Sequence, residues 1–169
     1  MIHIKDQLHR DVKLERPARR IVSLVPSLTE LLVDLGLEEQ LVGVTRFCVH
    51  PEHIRKKASI VGGTKQVRNK KIRKLQPDLI IANKEENQKE DIKALEGICS
   101  VHVSDVKSIT DCLELIPQYG QLTDTADSAK RIGHQLEEKY DDFKDLAHKQ
   151  SQLKVAYLIW KDPWMVVGG

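Results

Sequence analysis

Aromatic residues are scarce in this sequence and make up 4% of its 169 positions. Aliphatic side chains must therefore supply the core, and the length suffices for one well-buried domain or for a domain plus part of another. No apolar run reaches the roughly 18 residues that a membrane-spanning helix needs. The first 17 residues lack the apolar stretch of a secretory signal. We therefore expect a cytoplasmic protein from the chain as given, and a periplasmic one if a leader has been removed.

Cysteine is also scarce, with three residues at positions 48, 99 and 112 and no CxxC pair. An odd count without paired spacing excludes a disulfide framework and predicts that Cys99 and Cys112 pack in apolar surroundings.

The sequence also lacks an excess of charge of one sign, because it has 27 basic and 25 acidic residues, for a formal net charge of +2. This balance argues against a nucleic-acid partner. No resident cofactor is indicated.

The sequence does contain a regular alternation of strand and helix patterns. Residues 2–14 alternate in polarity on either side of a polar centre, which predicts an N-terminal β-hairpin. The alternation after it predicts an α/β fold, a Rossmann-like lobe whose parallel sheet carries helices on both faces. The predicted strands lie at 20–25, 40–47, 59–64, 78–82 and 99–103.

Capping residues predict where three of the helices begin. Ser27 and Glu30 have the spacing of a capping box at the end of the first buried strand. Asn87 and Glu90 repeat this spacing after the fourth strand. Ser108 stands before the apolar pattern that follows the fifth strand, and it predicts the start of a further helix.

A longer amphipathic pattern runs from about 125 to 150 and predicts one helix of about 25 residues, longer than most crossover helices. The residues after it predict a strand, a turn around Asp162 and Pro163, and a further extended piece. We therefore divide the chain into an N-terminal α/β lobe (1–122), a backbone helix (123–151) and the incomplete start of a second α/β lobe (152–169). The apolar positions of the long helix are Ala129, Ile132, Leu136, Tyr140, Phe143 and Ala147.

Four stretches carry a family resemblance: "RIVSLVPSLTELLVDLG", "VGVTRFCVHP", "VGGTK" and "KLQPDLIIA". In this order they resemble the helical-backbone (class III) periplasmic-binding-protein family, which includes the cobalamin and ferric-siderophore receptors of ABC transporters. The resemblance implies two α/β lobes joined by one long helix, with the ligand held in the cleft between them. It implies a substrate-binding protein, not an enzyme. The expected ligand is a metal complex such as a ferric chelate or a corrinoid.

Candidate ligand-binding residues follow the predicted strands, because ligands of open α/β sheets bind outside the carboxyl ends of the strands. The junction at Pro26 and Ser27 offers the N–H groups of a helix start to a phosphate, a carboxylate or an amide oxygen. The resemblance places Phe47 where cobalamin receptors carry an aromatic residue against the corrin, and it makes Trp160 of the presumed second lobe a candidate cleft wall. Core packing is the alternative for Trp160, and a solvated loop is the alternative for 83–86. The full set is Pro26, Ser27, Arg46, Phe47, Gly63, Thr64, Lys65, Asn83, Glu85 and Trp160.

Cys48 and His50 follow the second strand of the predicted sheet. A thiolate and an imidazole two residues apart are ligands for a soft metal, although a complete site needs three or four ligands. Ordinary loop packing is the alternative. An enzyme that uses Cys48 as its nucleophile is a further hypothesis, and it requires an activated thiolate beside a base.

The chain departs from the family pattern at three aligned positions. Cobalamin receptors carry tryptophans where this chain has Thr64 and Asn83, so the resemblance supports a corrinoid less strongly than it supports the fold. The acidic residue with which the family docks onto an ABC permease aligns with Lys70. We therefore expect altered permease docking, or a cytoplasmic relative without a transport role that acts as a protein-interaction module.

Lys70 belongs to a run of six basic residues in the ten positions 65–74. Such a run is typical of a solvated helix face, and it would also suit an acidic partner or a phosphate. No aromatic residue is interleaved with it, which argues against single-stranded nucleic acid. An unpaired strand at the end of an incomplete lobe would favour pairing with a second copy of the chain, so a homodimer is a further expectation.

Overall fold

The computed structural model describes residues 1–151 and 154–167. The chain divides into two compact units, Met1–Glu137 and Glu138–Gly169, and the division falls inside the longest helix. The predicted boundaries at 122 and 151 remain predictions, and residues 152, 153, 168 and 169 of the predicted second lobe lie outside the described residues. No helix in the described part of the chain combines the length and the apolar character needed to cross a membrane.

The first unit begins with a hairpin, as predicted. Strands β1 (Ile2–Lys5) and β2 (Asp11–Leu14) pair antiparallel, with Ile2 opposite Leu14. Inside the connecting turn, the buried Asp6 carboxylate accepts hydrogen bonds from the backbone N–H groups of Leu8 and Arg10, both at 2.9 Å. The side chain of Asp6 therefore stabilises the turn in which it lies.

A five-stranded parallel sheet forms the centre of the first unit. Its strands lie in the lateral order β5-β4-β3-β6-β7, which confirms the predicted α/β class. The sheet grows outward from β3 to β5, and β6 then returns to the other side of β3. The strands are β3 (Ile21–Ser23), β4 (Leu41–Val44), β5 (Ser59–Ile60), β6 (Leu79–Asn83) and β7 (Ser100–Ser104).

Both faces of the sheet are covered, because alternate residues of one strand enter different apolar clusters. Leu79 and Ile81 of β6 belong to one cluster, whereas Ile80 and Ala82 belong to the other. Side chains of successive strand residues point to opposite faces, so a strand covered on both faces reads as a continuous apolar run. The run predicted at 78–82 has this character.

Six α-helices and one short 3-10 helix (Glu38–Gln40) complete the described fold. The first cluster contains residues of α1, α2, α5, α6 and the hairpin, and the second contains residues of α3 and α4. Two helices thus cover one face of the sheet, while the hairpin and the remaining helices contribute to the other. The helices are α1 (Pro26–Asp34), α2 (Ile54–Lys57), α3 (Asn69–Leu75), α4 (Lys89–Glu96), α5 (Ile109–Thr123) and α6 (Ala126–His148).

Two of the three predicted helix caps are wrong. Helix α1 begins at Pro26 with Val25 as its N-cap, and no side chain caps it. Proline suits the first helical position because its φ is preset and it has no N–H to leave unbonded, so the helix starts before Ser27. Helix α4 likewise has Gln88 as its N-cap, without a side-chain bond. Only the third start is confirmed, with a full capping box between Ser108 and Asp111.

The long helix is confirmed as α6, with 23 residues and a length of about 35 Å at 1.5 Å per residue. Its N-terminal part belongs to the first unit and packs against the first apolar cluster through the buried Ala129 and the partly buried Ile132 and Leu136. In the second unit, strands β8 (Leu158–Trp160) and β9 (Met165–Val166) form an antiparallel pair on either side of the predicted turn.

His102 on β7 is completely buried, and its Nε2 lies 2.7 Å from Gln118 Oε1. Burial lowers the pKa of this imidazole, because the charged form loses its hydration. Folding therefore favours the neutral ring. The stability that the neutral His102 contributes is complete above the unfolded-state pKa of about 6.5, and it is lost as the pH falls below that value.

We predict that His102→Gln reduces the loss of stability between pH 7.5 and pH 5, because glutamine does not titrate. The slope attributable to one histidine is at most about 1.4 kcal/mol per pH unit. Urea unfolding at the two pH values measures the effect, with the exposed His148 replaced by Gln as the control. Equal acid sensitivity in both variants would contradict the prediction.

Candidate functional site

The carboxyl ends of the parallel strands meet at one edge of the sheet, and a cavity of about 910 Å³ lies along that edge. The ends of β3 and β6 are adjacent there, with Ser23 opposite Ile81. Because the connections from these two strands leave in opposite lateral directions, their ends form a topological switch point. Open α/β sheets bind ligands in such a crevice.

The cavity has a polar rim at the strand ends and an apolar wall made by helices. Residues after β3, β4, β5, β6 and β7 all contribute to the lining. The rim includes three carboxylates, Glu30, Glu85 and Glu86, together with Ser27, Thr64, Asn83 and Ser104. The apolar lining consists of Val25, Pro26, Leu28, Leu31, Phe47, Val106, Cys112, Leu115, Ile116, Ile132 and Leu136.

Asn83 and Asn87 organise the loop after β6 and connect it to its neighbours. Asn83 Oδ1 accepts hydrogen bonds from the N–H groups of Glu85 and Glu86, and its Nδ2 donates to the Ser104 carbonyl on β7 at 3.2 Å. The buried Asn87 accepts from the Asn83 N–H and donates to the Thr64 carbonyl, both at 2.9 Å. Asn87 is therefore a bridge between loops and not the predicted helix cap.

A second bridge joins the loops that follow β5 and β6. The Lys65 ammonium donates a hydrogen bond to the Glu85 carbonyl. Gly63 N–H donates to the Gln66 carbonyl at 2.9 Å, and Gly62 forms an isolated antiparallel bridge with Val67. Together with the Asn87 contact, these bonds hold Thr64 in a closed turn at the rim of the cavity.

Phe47 lies at the rim with about half of its surface (48%) exposed. The Arg46 guanidinium carbon stands 4.9 Å from the centroid of the Phe47 ring. Gly63 is close beneath this pair, because a Cβ at that position would lie 3.2 Å from Phe47 Cε2 and 3.5 Å from Arg46 Nε. Arg46 thus adds a positive charge beside a cavity whose charged lining residues are Glu30, Glu85 and Glu86.

Six of the ten predicted ligand-binding residues line this cavity: Pro26, Ser27, Phe47, Thr64, Asn83 and Glu85. Arg46, Gly63 and Lys65 contact these residues without lining the cavity. Trp160 lies in the second unit with 63% of its surface exposed. The role of all ten residues in ligand binding remains a prediction.

Cys48 and His50 lie in different surroundings, and their role as a metal pair remains a prediction. The Cys48 side chain is completely buried, and its Sγ lies 3.2 Å from Thr29 Oγ1 and 3.3 Å from Thr45 Oγ1. His50 is exposed. Within 1–151 and 154–167, no group of three or more metal-ligating side chains is assembled. The alternative of ordinary packing for Cys48 fits these contacts.

Sequence reasoning missed Ser104 and the apolar helical wall. Ser104 ends β7, so the rule that selected the other strand ends would have found it. The wall residues Ile132 and Leu136 were recognised as apolar positions of the long helix, but no sequence signal related that helix to the strand ends. Asn87 was noticed only as a cap.

Three ionisable groups near the strand ends, Lys84, Asp105 and Cys112, have shifted pKa values. The Lys84 ammonium lies 2.8 Å from Asp105 Oδ2, and this hydrogen bond raises the pKa of Lys84 and lowers that of Asp105. Burial raises the pKa of the Cys112 thiol in the cavity wall, so it stays protonated near neutral pH. A protonated thiol is a poor nucleophile.

Comparison with known proteins found a matching family model and several relatives. A family model described as periplasmic binding protein matches residues 21–169. An uncharacterized ABC transporter substrate-binding lipoprotein of Bacillus subtilis (strain 168), YvrC, is 29% identical over 152 residues, which cover 88% of this chain and 47% of that protein. A vitamin B12-binding protein of Vibrio vulnificus (strain CMCP6) is 34% identical over 109 residues, which cover 64% of this chain and 40% of that protein.

Among solved structures, the chain is similar to the petrobactin-binding protein YclQ of Bacillus subtilis. The TM-score is 0.75 at 26% identity, and the match covers 88% of this chain and 54% of that structure. The chain spans about half the length of the curated relatives it matches. The family model covers most of the chain, so the resemblance is confirmed. This chain belongs to the periplasmic binding protein family.

Proposed function

We propose that this protein is the substrate-binding component of an ABC-type importer and that it binds a metal complex, a ferric chelate or a corrinoid, at the carboxyl edge of its first unit. The observation that carries the proposal is the cavity of about 910 Å³ at the β3/β6 switch point. The relatives support it, since they are named as a vitamin B12-binding protein, a petrobactin-binding protein and an ABC transporter substrate-binding lipoprotein.

The chemistry of the cavity suits a bulky ligand with an apolar body and polar edges. Ligand sites are usually concave and mostly apolar, with a few placed polar groups that fix orientation. The apolar wall offers Leu31, Leu115 and Ile132 to the body of a ligand. At the rim, Ser27, Thr64 and Asn83 offer hydroxyl and amide groups to its edges.

The arrangement of the rim supports binding without a large loop movement. Side-chain bridges already connect the loops after β5, β6 and β7. Ordering flexible loops on association costs free energy, so a rim that is ordered beforehand retains more of its contact energy as affinity. The relatives named as periplasmic or lipoprotein components support an exported location for this protein.

The test is a titration of the intact protein with cyanocobalamin and with ferric petrobactin, followed by calorimetry. We predict that one of the two probes binds and that Phe47→Ala weakens its binding at least about tenfold, because a half-exposed aromatic ring at the rim loses its contact with the ligand. Val49→Ala is the matched control, since Val49 is 42% exposed two positions away and does not line the cavity.

Binding of neither probe would count against the metal-complex class. Binding that Phe47→Ala leaves unchanged, or that Val49→Ala weakens equally, would place the ligand elsewhere on the protein. Thermal unfolding of both variants without ligand serves as the folding control.

A further inference from the structure

A second cavity, of about 350 Å³, lies on the α4 side of the sheet. The turn of the N-terminal hairpin, the loop after β6, helix α4 and strand β7 all contribute to its lining. Its charged lining residues are one carboxylate, Glu96, and four cations, Arg10, Lys84, Lys89 and Lys93. We propose that this cavity binds a small organic anion, a monocarboxylate with a short apolar body, and that Lys89 and Lys93 hold its carboxylate.

The inner wall of this cavity is apolar. Ile92 of α4 and Val103 of β7 are buried members of the second apolar cluster, and the partly buried Leu8 packs against the same cluster. An apolar group that covers this wall removes it from water, which favours binding in proportion to the area covered. Inorganic phosphate has no such group. The volume is well below the 910 Å³ of the cavity at the strand ends, so it suits a small acid rather than a bulky metal complex.

The fold itself neutralises two of the four cations. The Arg10 guanidinium lies 2.7 Å from the Asp6 carboxylate and 2.6 Å from the Glu96 carboxylate. The Lys84 ammonium lies 2.8 Å from Asp105 Oδ2. Glu96 is therefore engaged by Arg10, and among the described lining residues no other carboxylate remains for the two lysines of α4.

Lys89 and Lys93 carry the remaining positive charge of the lining. Across 1–151 and 154–167, neither ammonium takes part in an ion pair or a side-chain hydrogen bond. The two lysines are four residues apart on α4 and lie on one side of the helix, where like charges repel each other. A carboxylate between them relieves this repulsion and accepts charge-assisted hydrogen bonds from both. The acidic residues of the first turn, Glu90 and Asp91, do not line the cavity.

Hydrogen bonds within the fold keep the cavity wall in place before a ligand arrives. The Asn87 side chain lines the cavity, accepts from the Asn83 N–H and donates to the Thr64 carbonyl, both at 2.9 Å. The Arg10 guanidinium donates to the Val101 carbonyl at 3.0 Å. A wall that is ordered beforehand loses little conformational entropy on binding, so more of the contact energy is retained as affinity.

The proposal does not depend on the proposed function. None of the described residues lines both cavities. In the loop after β6, Asn83, Glu85 and Glu86 line the cavity at the strand ends, whereas Lys84 and Asn87 line the second cavity. The test of either site can therefore fail while the other site binds its ligand.

The test is a titration of the intact protein with hexanoate, acetate and hexanamide, followed by two-dimensional NMR spectra of the assigned backbone amides. Hexanoate has both the carboxylate and the apolar body, whereas acetate lacks the body and hexanamide lacks the charge. Lys89→Gln/Lys93→Gln removes the two ammonium groups from the cavity. Lys70→Gln/Lys74→Gln is the matched control, because these lysines are also exposed and four residues apart on a helix but do not line the cavity.

We expect hexanoate to shift the amide signals of Leu8, Ile92 and Val103 and to bind at least about tenfold more tightly than acetate or hexanamide, because only hexanoate uses both parts of the site. The Lys89→Gln/Lys93→Gln protein should bind hexanoate at least about fivefold more weakly than the wild type, and the control protein should bind it within about twofold. Absence of binding, shifts confined to other regions, equal affinity for hexanoate and either of the other probes, or equal losses in both double variants would each overturn the proposal.

Discussion

Asp6→Ala is expected to destabilise the protein by about 3–5 kcal/mol, because it removes a buried carboxylate that accepts hydrogen bonds from Arg10 and from three backbone N–H groups. The Asp6 carboxylate is completely buried and accepts hydrogen bonds from Arg10 Nε and Nη2 at 2.9 and 2.7 Å. It also accepts from the Val103 N–H of β7 at 3.1 Å. Alanine would leave the guanidinium, which is 29% exposed, with Glu96 at 2.6 Å as its remaining ion pair, and it would remove the link between the hairpin and the sheet edge.

Urea unfolding monitored by circular dichroism measures this loss. Asp11→Ala in the same hairpin is the control, because Asp11 is 51% exposed and pairs only with His3 and Lys5 on the surface. We expect little change there, since exposed ion pairs contribute little. Replacing Asp6 by Leu together with Arg10 by Met should recover part of the loss, because the guanidinium that has lost its buried partner is then absent. Equal effects of Asp6→Ala and Asp11→Ala would contradict the expectation.

Gly62→Ala is expected to cost about 3 kcal/mol of stability and to open the loop after β5. Gly62 has φ +126°, a conformation that residues with a Cβ rarely adopt, and an added Cβ would lie 2.4 Å from the Gln66 carbonyl oxygen. That oxygen is the acceptor of the Gly63 N–H. The turn that holds Thr64 at the cavity rim would therefore have to move, so ligand affinity should fall with stability.

Gly133→Ala provides the matched control for Gly62→Ala. Gly133 lies inside α6, where an added Cβ meets nothing within 4 Å. Alanine is favoured over glycine in a helix, so we expect a gain of about 0.5–1 kcal/mol. Denaturant unfolding of both variants checks the two signs. A Gly62→Ala protein as stable as the wild type would show that the loop adapts and that the positive φ is not required.

The architecture of the first unit could be predicted from the sequence because each strand and helix carries its own periodic pattern. The run at 78–82 predicted a strand covered on both faces, and β6 enters both clusters. The N-cap residues of the helices were harder to predict than the helices themselves, because several residues near a helix start fit the same capping pattern. Pro26 competes with Ser27 for the start of α1. The Asn87 side chain does not cap α4, because its amide oxygen accepts from the Asn83 N–H and its amide nitrogen donates to the Thr64 carbonyl.

The site was predictable in outline for a topological reason. Parallel strands place their carboxyl ends at one edge, so Phe47, Thr64 and Asn83 could be grouped without knowing any side-chain position. Residues that approach the rim from distant parts of the sequence could not be predicted in this way. Neither the burial of Cys48 against Thr29 nor the approach of Ile132 to the strand ends follows from local sequence.

The bridges among the three rim loops have an evolutionary consequence. Asn87, Asn83 and Lys65 connect the loops after β5, β6 and β7, so a substitution in one loop shifts the backbone that its neighbours present. Changes at residues within one hydrogen-bonded network do not add independently. A lineage that acquires a new ligand through this rim must therefore alter the loops in concert, and single-residue steps toward new specificity would be strongly epistatic.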